Sequence, residues 1–569
     1  MLPAVLILFF SAQPNSAAQE TQRPVDAGSA ITTLIAGKQN PLLTEPDFSN
    51  HAESLSDLYQ ANNNQLLWLG ENRSETNIDQ ALTILGNADQ DGLDPKDYDA
   101  DVLKVQLQMA LSIPQTAVHE LAEFDTALSI ALLRFTNDLH HGRVNPQKLS
   151  YPTPFGRKAA IDVAGLIKQA VDNQGLLQLP QQLQPKFKQY EQLKRVLAAY
   201  RKAPADKDYR PLIFQKSLRP GDTYPQLAEL RQRLTALGAL PEQEQEQDRI
   251  PSAEKTYNHE LQEGVKNFQR ETGLKADAII GPETAARLNQ SLAQKIMQIE
   301  LAMERLRWLP DDIAGPMIIV NIPAFQLWAF NSPEDTDILN MKVIVGKALK
   351  NQAPVLFEEM KYLEFMPYWN IPKSIMDKEI LPKLYNDFGY LQSQDIELVQ
   401  RYASENAGSW DSIFDDIRRG RVRARQRPGK KNPLGKVKFI FPNKEDVYLH
   451  DTSTPSLFSR SRRDFSHGCV RVAEAEKLAE FVLNNQPESR WDVTAIQQAM
   501  SGSKTRRVTL KKPIPVLFFY STTFVDHNNQ IHFYRDIYEQ DAALEKALGK
   551  MSGGTGNSSL LTAKTSAPG

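Results

Sequence analysis

The only cysteine of the chain lies in the segment Ser466-His467-Gly468-Cys469-Val470-Arg471. A thiolate is the nucleophilic form of cysteine, and a free thiol with a pKa of about 8.5 is only partly ionised at neutral pH. An enzyme that used this sulfur would need a nearby histidine to take its proton. His467 is close in sequence, and His450 ends a predicted strand. Because a histidine on a neighbouring strand can face the thiol across a cleft, we predict that His450 is the base and that His467 shapes the pocket by hydrogen bonding.

The residues around Cys469 favour a reactive thiol over an inert one. A lone cysteine is more often a buried structural residue, and in an exported protein it cannot form an internal disulfide. Here Gly468 allows close approach to the backbone, and the segment is predicted to lie just before a helix. Peptide N–H groups at a helix start stabilise a thiolate and donate to the oxyanion that forms when a carbonyl is attacked.

The motif Tyr-Leu-His-Asp-Thr at 448–452, followed by the cysteine segment, closely resembles the catalytic signature of the L,D-transpeptidase family. The resemblance extends to Val-Asn-Ile-Pro at 320–323, Tyr-Trp-Asn-Ile-Pro-Lys-Ser-Ile at 368–375 and Asn-Pro-Leu-Gly at 432–435. With the segments that precede it, nearly the whole mature chain is similar to the large multidomain branch of the family found in Gram-negative periplasms.

The resemblance implies a reaction. Cys469 would attack the carbonyl of the third residue of a tetrapeptide stem, release D-alanine and form a thioester, which a side-chain amine of a second stem would resolve. His450 would be the base, oriented by the backbone carbonyl of Asp451. Backbone N–H groups of Gly468 and Cys469 would form the oxyanion hole. Arg471 would brace the loop or hold a substrate carboxylate, and the other expected substrate-binding residues are Ser466, Tyr448 and Trp369.

Three alternatives stay open at this stage. Water or a free D-amino acid could resolve the same thioester, which would make the enzyme an L,D-carboxypeptidase or an exchange enzyme. His450, His467 and Cys469 could instead ligate zinc in a metal hydrolase, since zinc accepts both residue types. The third alternative is a non-catalytic scaffold that binds the wall. Our own expectation is an enzyme without metal or cofactor, whose partners are peptidoglycan stem peptides and glycan together with other wall-synthesis enzymes.

The residues that carry this chemistry fall in a segment with the period-two pattern of β-strands. We place a mainly β catalytic domain at 314–548, with strands predicted around 317–322, 325–330, 342–345, 361–365, 439–441, 447–450, 516–520 and 530–534. A long insertion at about 373–435 has the size of a lid or binding loop. Its basic run at 418–427 is interpreted either as a solvated face or as a surface that holds carboxylates of an anionic substrate.

Two helical regions precede the β domain. An α-helical scaffold domain is predicted at 46–212, where apolar residues recur every three or four positions. Residues 213–292 resemble the small three-helix peptidoglycan-binding module through Phe268-Gln269, Gly273-Leu274, Asp277, Gly281 and Thr284, although Ala278 replaces the usual glycine. A helix at 293–313 connects this module to the catalytic domain. The adjacent pair His140-His141 is interpreted as a surface pair.

Length and composition fit this organisation. The 569 residues exceed one hydrophobic core, and 41% hydrophobic and 24% charged residues are typical of globular domains. The net charge of −3 disfavours nucleic acid as a partner. Residues 1–18 are interpreted as a signal peptide, 19–45 as a linker and 549–569 as a disordered tail. No later segment is long and apolar enough to span a bilayer. The signal peptide and the family resemblance together imply a periplasmic protein, and its predicted elements form a multidomain α+β fold.

Overall fold

The computed structural model describes residues 26–549, except 71–73, 115, 153–154, 156–157, 159–160, 203–209, 242–255, 312–314, 333–334, 336–337, 388 and 401–409. The predicted signal peptide and almost all of the predicted tail lie outside the described residues. The chain divides into two compact units, one made of residues up to 89 with 94–137 and 161–182, and the other of 90–93, 138–160 and everything from 183 onwards.

The first unit is helical. Its helices are α1 (Ala27–Gly37), α2 (Ala52–Ala61), α3 (Glu75–Gly86), α4 (Ala100–Ser112), α5 (Val118–His141), α6 (Val163–Asp172) and α7 (Leu179–Leu183). Residues 138–141 at the end of α5 belong to the second unit. The predicted linker is wrong over the residues of α1, which is capped by the Asp26 side chain and buries Ala30, Ile31 and Leu34. Composition alone missed α1 because its apolar stripe is only three residues long.

In the second unit, α8 (Lys188–Lys202) precedes a three-helix module. This module is formed by α9 (Leu227–Ala236), α10 (His259–Glu271) and α11 (Pro282–Leu288). The module has its own apolar core, which includes Leu230, Val265 and Phe268. The buried Gln269 side chain accepts the N–H groups of Asp277 and Ala278, each at 3.0 Å. Ala278 has φ of 60°, the left-handed conformation that explains why glycine is usual there.

The helix α12 (Leu292–Arg307) connects the module to the β domain and buries charged residues. Arg307 and Glu304 pair at 2.8 Å, and Arg305 pairs with Asp541 at 2.5 Å. His140 is buried as well, with its Nδ1 atom 3.2 Å from the Leu183 carbonyl oxygen. The interpretation of His140 as a surface residue is therefore wrong, because its ring is packed inside the second unit.

The β domain is a sheet that closes on itself. Before the insertion its strands are β1 (Met317–Asn321), β2 (Gln326–Phe330), β3 (Leu339–Gly346) and β4 (Leu356–Phe365). The insertion has three strands of its own, β5 (Trp369–Asn370), β6 (Ile396–Gln400) and β7 (Val422–Gln426). After the insertion the large sheet continues with β8 (Val437–Ile440), β9 (Leu449–His450), β10 (Asp464–Ser466), β11 (Val470–Val472) and β12 (Arg506–Phe519). The order is β10-β3-β11-β9-β8-β4-β12-β1-β2, and β2 pairs again with β3. The helices α17 (Ala475–Asn484), α18 (Val493–Met500) and α19 (Gln540–Ala547) and the hairpin β13 (Thr523–Val525) and β14 (Ile531–Phe533) complete the domain.

The insertion is a small subdomain with its own sheet, ordered β5-β7-β6, and its own apolar core. Its helices are α13 (Lys373–Ile375), a π-helical segment Met376–Ile380, α14 (Leu381–Asn386), α15 (Tyr390–Ser393) and α16 (Trp410–Arg418). In the described part of the chain, no helix combines the length and apolar character needed to cross a membrane. The expectation of a multidomain α+β protein with a mainly β C-terminal domain is confirmed.

Candidate active site

The loop that contains Cys469 joins two strands that both pair with β3. β10 pairs in parallel with the end of β3, and β11 pairs antiparallel with it, through Arg471 opposite Ile344. The half-buried Cys469 directly precedes β11, and the next helix, α17, begins only at Ala475. The prediction that the thiol lies at a helix start is wrong, so no helix dipole acts on it directly. The sheet positions this sulfur instead.

The Ser466 side chain holds the cysteine loop through two hydrogen bonds to its backbone. Its hydroxyl donates to the Cys469 carbonyl at 2.5 Å and accepts the Gly468 N–H at 3.2 Å. Gly468 has φ of 120°, a value that favours glycine. The Gly468 N–H is therefore occupied inside the loop, which contradicts its predicted place in an oxyanion hole. Ser466 is buried, its hydroxyl braces the loop, and its predicted contact with substrate stays a prediction.

His450 lies on β9, which pairs in parallel with β11 so that Arg471 is opposite His450. Its Nδ1 atom is 2.5 Å from the Asp451 backbone carbonyl oxygen. Because a carbonyl only accepts, Nδ1 carries the hydrogen, and Nε2 has a free lone pair while the ring is neutral. Burial, and then the positive charges of Arg471 and Lys438, lower the pKa of His450 to about 3 against the opposing effect of this hydrogen bond. The imidazole is thus neutral at physiological pH.

The environment of the sulfur acts in two directions. Burial raises the pKa of the Cys469 thiol, while interactions with the backbone and hydroxyl of Tyr448 and the charges of Lys438 and Arg471 lower it. Burial is the largest of these effects, so the resting thiol is neutral. The Lys438 ammonium lies 3.8 Å from the centroid of the Tyr448 ring, and burial lowers its pKa. Arg471 is half-buried, and its Nε atom is buried without a hydrogen-bond partner among the described residues.

The Asn-Pro-Leu-Gly motif at 432–435 supports the segment that follows His450. The Asp451 carboxylate accepts the Lys436 N–H at 2.8 Å and packs against Gly435. Gly435 has φ of 63°, and a Cβ atom there would overlap the carboxylate. The buried Asn432 donates to the Pro367 carbonyl at 2.9 Å. These contacts place the Asp451 main chain, while its side chain stays away from the sulfur.

Cys469, His450, Tyr448 and Arg471 line one cleft of about 1140 Å³ together with residues of the insertion. The predicted substrate-binding residue Trp369 is half-buried on β5 and lines the same cleft. The charged side chains of the lining are predominantly basic: Lys373, Arg423, Arg425, Lys438 and Arg471 against Glu445 and Asp446. The cleft therefore suits an anionic ligand.

Most arginines of the basic run at 418–427 are paired with acids of the insertion. Arg425 and Arg427 both contact Glu397, and Arg421 pairs with Asp416 at 2.6 Å. Arg423 is exposed, lines the cleft and has no ion-pair partner among the described residues. Most of the run lies outside the cleft, whereas Arg423 and the Glu397-paired Arg425 line it, so neither interpretation describes the whole run.

His467 is exposed, and its ring contacts the insertion. Its Nε2 atom lies 3.0 Å from Glu379 Oε1, in the π-helical segment of the insertion. Sequence reasoning missed Glu379, which lies 88 positions away in the chain. It also missed Lys438, although this cation sits in a strand of alternating burial, and Lys438 is directly opposite His450. Nowhere in the described ranges do three or more His, Cys, Asp or Glu side chains come together as a metal site.

Comparison with known proteins gives three domain matches. Residues 53–197 match a scaffold domain, residues 223–288 match a domain described as "putative peptidoglycan binding domain", and residues 315–508 match the L,D-transpeptidase catalytic domain. The last match contains His450, Cys469 and the whole insertion. Along the chain the scaffold match comes first, the peptidoglycan-binding match second and the catalytic-domain match last.

A protein of Haemophilus influenzae described as "putative L,D-transpeptidase" is 29% identical over 288 residues, which are 50% of this chain and 55% of that protein. The chain thus spans about half the length of this relative. The crystal structure of an L,D-transpeptidase from Xylanimonas cellulosilytica covers 55% of this chain and 100% of its own, at 15% identity and a TM-score of 0.15. The similarity rests on the sequence matches and not on that superposition: residues 315–508 of the chain are similar to the L,D-transpeptidase catalytic domain.

Proposed function

We propose that this protein is an L,D-transpeptidase that cross-links peptidoglycan through a thioester on Cys469. The observation that carries the proposal is that a half-buried thiol directly before β11 and a neutral imidazole on the adjacent strand β9 line one cleft. The hydrogen bond from His450 Nδ1 to the Asp451 carbonyl supports this function, because it leaves Nε2 as the proton acceptor. Asp451 contributes its main chain only.

In the first half-reaction the Cys469 proton moves to His450 Nε2 as the sulfur attacks the carbonyl of the third stem residue. The carbonyl electrons collapse back, the C–N bond to the terminal D-alanine breaks, and the leaving amine takes the proton from the imidazolium. A thioester and free D-alanine result. No charge separation precedes attack, which agrees with the neutral resting states of thiol and imidazole.

In the second half-reaction a side-chain amine of another stem attacks the thioester. His450 accepts a proton from the amine and returns it to the departing sulfur, so that an amide forms and the thiol is regenerated. The developing oxyanion needs N–H donors. Since Ser466 occupies the Gly468 N–H, we assign this role to the Cys469 N–H, which has no backbone acceptor among the described residues.

Substrate recognition would use the basic lining of the cleft. Stem peptides end in carboxylates, and charge-assisted hydrogen bonds to such groups are among the stronger polar interactions. Arg471 lines the cleft two residues after Cys469, and its buried Nε atom has no acceptor among the described residues. Arg423 offers a guanidinium from the insertion that forms no ion pair within the described part of the chain. Tyr448 and Trp369 would supply aromatic surface in the same cleft.

The module at 223–288 and the catalytic domain both support peptidoglycan as the partner. We propose that the protein works in the periplasm, where its substrate is accessible, and that the module keeps the catalytic domain on the wall. Other wall-synthesis enzymes would be further partners at that location.

Purified full-length protein incubated with a disaccharide tetrapeptide tests the proposal. We expect cross-linked dimers that are lost in Cys469→Ala, and a thioester adduct on Cys469 in the intact mass. Tripeptide without dimers, at ample acceptor concentration, would show an L,D-carboxypeptidase, and exchange of the terminal residue with added D-amino acid would show an exchange enzyme. Sensitivity to chelators without sensitivity to thiol alkylation would establish the zinc alternative. Unchanged wall binding with no product from either protein would leave a scaffold.

A further inference from the structure

Two different supports hold the ends of the cysteine loop. On the side of the barrel, the Ser466 hydroxyl binds the Gly468 N–H and the Cys469 carbonyl, and the Ser466 carbonyl accepts the Lys347 N–H at 3.1 Å. On the side of the insertion, His467 contacts Glu379, with 3.0 Å between Nε2 and Oε1. Because an ionised carboxylate only accepts, Nε2 carries a hydrogen and donates it to Glu379. The loop is thus held by both the barrel and the insertion.

The helix that bears Glu379 has an irregular turn at this point. Leu381 N–H donates to the Met376 carbonyl, five residues back, in a π-helical turn. Such turns are rare and frequently occur at functional sites. Met376 and Ile380 are buried in the insertion core, while Glu379 is exposed on the other side, where it reaches His467. The local fold therefore presents this carboxylate to the cysteine loop.

We propose that Glu379 is a positioning residue for the reaction, which fixes His467 and through it the backbone of Gly468 and Cys469. The insertion would then complete the active site as well as cover it. Glu379 contacts neither sulfur nor His450, so it has no part in proton transfer. The proposal rests on the proposed function for its kinetic readout, although the geometry of the loop does not depend on it.

The chain offers a matched control for this contact. Asp377 lies in the same π-helical segment and pairs with Lys373 at 2.9 Å, away from the cysteine loop. Both Glu379 and Asp377 are exposed acids, so their replacement costs little stability in either case. A difference between Glu379→Ala and Asp377→Asn would therefore report the contact with His467 rather than general damage to the helix.

The experiment measures acylation of Cys469 in the full-length protein by stem tetrapeptide, with intact mass read over time at several concentrations. For Glu379→Ala we expect a roughly tenfold lower maximal acylation rate, because misplacing a reacting group slows attack, with half-saturation within about twofold of wild type. Glu379→Gln keeps an acceptor oxygen and should recover most of the rate. Asp377→Asn should keep the wild-type maximal rate, because the Asp377 partner Lys373 lines the cleft and its release affects half-saturation only. A wild-type rate for Glu379→Ala, or an effect on half-saturation alone, would overturn the positioning role.

Failure of the proposed function would show separately, as absence of any adduct on wild-type protein. In that case alkylation of Cys469 by iodoacetamide supplies the readout, since it reports the thiol and its loop without a wall substrate. We expect Glu379→Ala to change the alkylation rate at least about threefold while Asp377→Asn leaves it unchanged. Equal rates in all three proteins would remove the inference whatever the natural substrate is.

Discussion

His450 directs its Nδ1–H at the backbone carbonyl oxygen of Asp451, 2.5 Å away, while the Asp451 carboxylate turns aside to accept the Lys436 N–H at 2.8 Å. The residue after the histidine thus orients the imidazole through its main chain. Its side chain has a second, separate task, which is to hold the start of β8. In catalytic triads of the serine proteases a carboxylate performs the orienting role. Here the two tasks can be tested independently.

Replacement of Asp451 by Asn should be tolerated. The amide oxygen can still accept the Lys436 N–H, and the carbonyl that orients His450 is unchanged. We expect thioester formation within about threefold of wild type, whereas His450→Gln should lose roughly 10²- to 10⁴-fold, the usual contribution of a general base. Intact mass spectrometry of both variants with tetrapeptide checks this. A loss in Asp451→Asn as large as in His450→Gln would mean that the carboxylate has a catalytic role.

The charge state of the thiol predicts its pH dependence. Burial raises the pKa of Cys469 and lowers the pKa of His450 to about 3. Both groups are therefore neutral at any pH above the His450 pKa and below the raised Cys469 pKa. Alkylation by iodoacetamide should therefore increase through the alkaline range, above the ordinary thiol pKa of about 8.5, as thiolate forms. A preformed thiolate–imidazolium pair would instead give a rate plateau from about pH 4 upwards. Observation of that plateau would contradict the neutral resting pair.

The sequence predicted the two candidate reacting groups but not the contacts that hold them. Cys469 and His450 were predictable because the thiol is unique and the histidine follows an alternating strand pattern. The local setting of Cys469 was mispredicted: a helix follows, but three residues of β11 intervene, and strand or helix is hard to decide over so short a run. The sequence also placed the Gly468 N–H in the oxyanion hole, because no sequence pattern shows that this N–H donates to the Ser466 hydroxyl.

The long-range contacts had no sequence signal at all. Glu379 and His467 meet only because the insertion folds back over the barrel, and neither periodicity nor spacing reports that distance. Within the basic run, alternation along β7 buries Val422 and Ala424 and turns Arg423 and Arg425 the other way. That alternation was available in the sequence. What decided between solvated face and binding surface was the position of the acids, such as Glu397, which is a tertiary property.

Arg423 should affect binding of the stem peptide more than turnover. It lines the cleft, lies far along the chain from Cys469, and has no ion-pair partner among the described residues. For Arg423→Gln we expect the half-saturating concentration of tetrapeptide to rise about three- to tenfold at low salt, with the maximal rate unchanged. The difference should shrink as salt screens the interaction. Arg419→Gln is the control, because Arg419 is exposed on the insertion and does not line the cleft. Equal effects of the two substitutions would show only a general loss of positive charge.

Gly435 should be essential to the placement of Asp451, and therefore of His450. It has φ of 63°, and an added Cβ would run into the Asp451 carboxylate. The left-handed conformation alone costs an alanine about 1–2 kcal/mol. Gly435→Ala should lower the thermal midpoint and slow acylation about tenfold or more, since displacement of Asp451 moves the carbonyl that fixes the imidazole.

Gly238 separates the effect of backbone conformation from that of packing, because it has φ of 72°, lies outside the cleft and has no atom within 4 Å of the place where a Cβ would lie. Gly238→Ala should lower the thermal midpoint slightly and leave acylation unchanged. If Gly435→Ala acylated as fast as Gly238→Ala, the His450 orientation would not depend on this packing, and the Nδ1 hydrogen bond alone would have to maintain it.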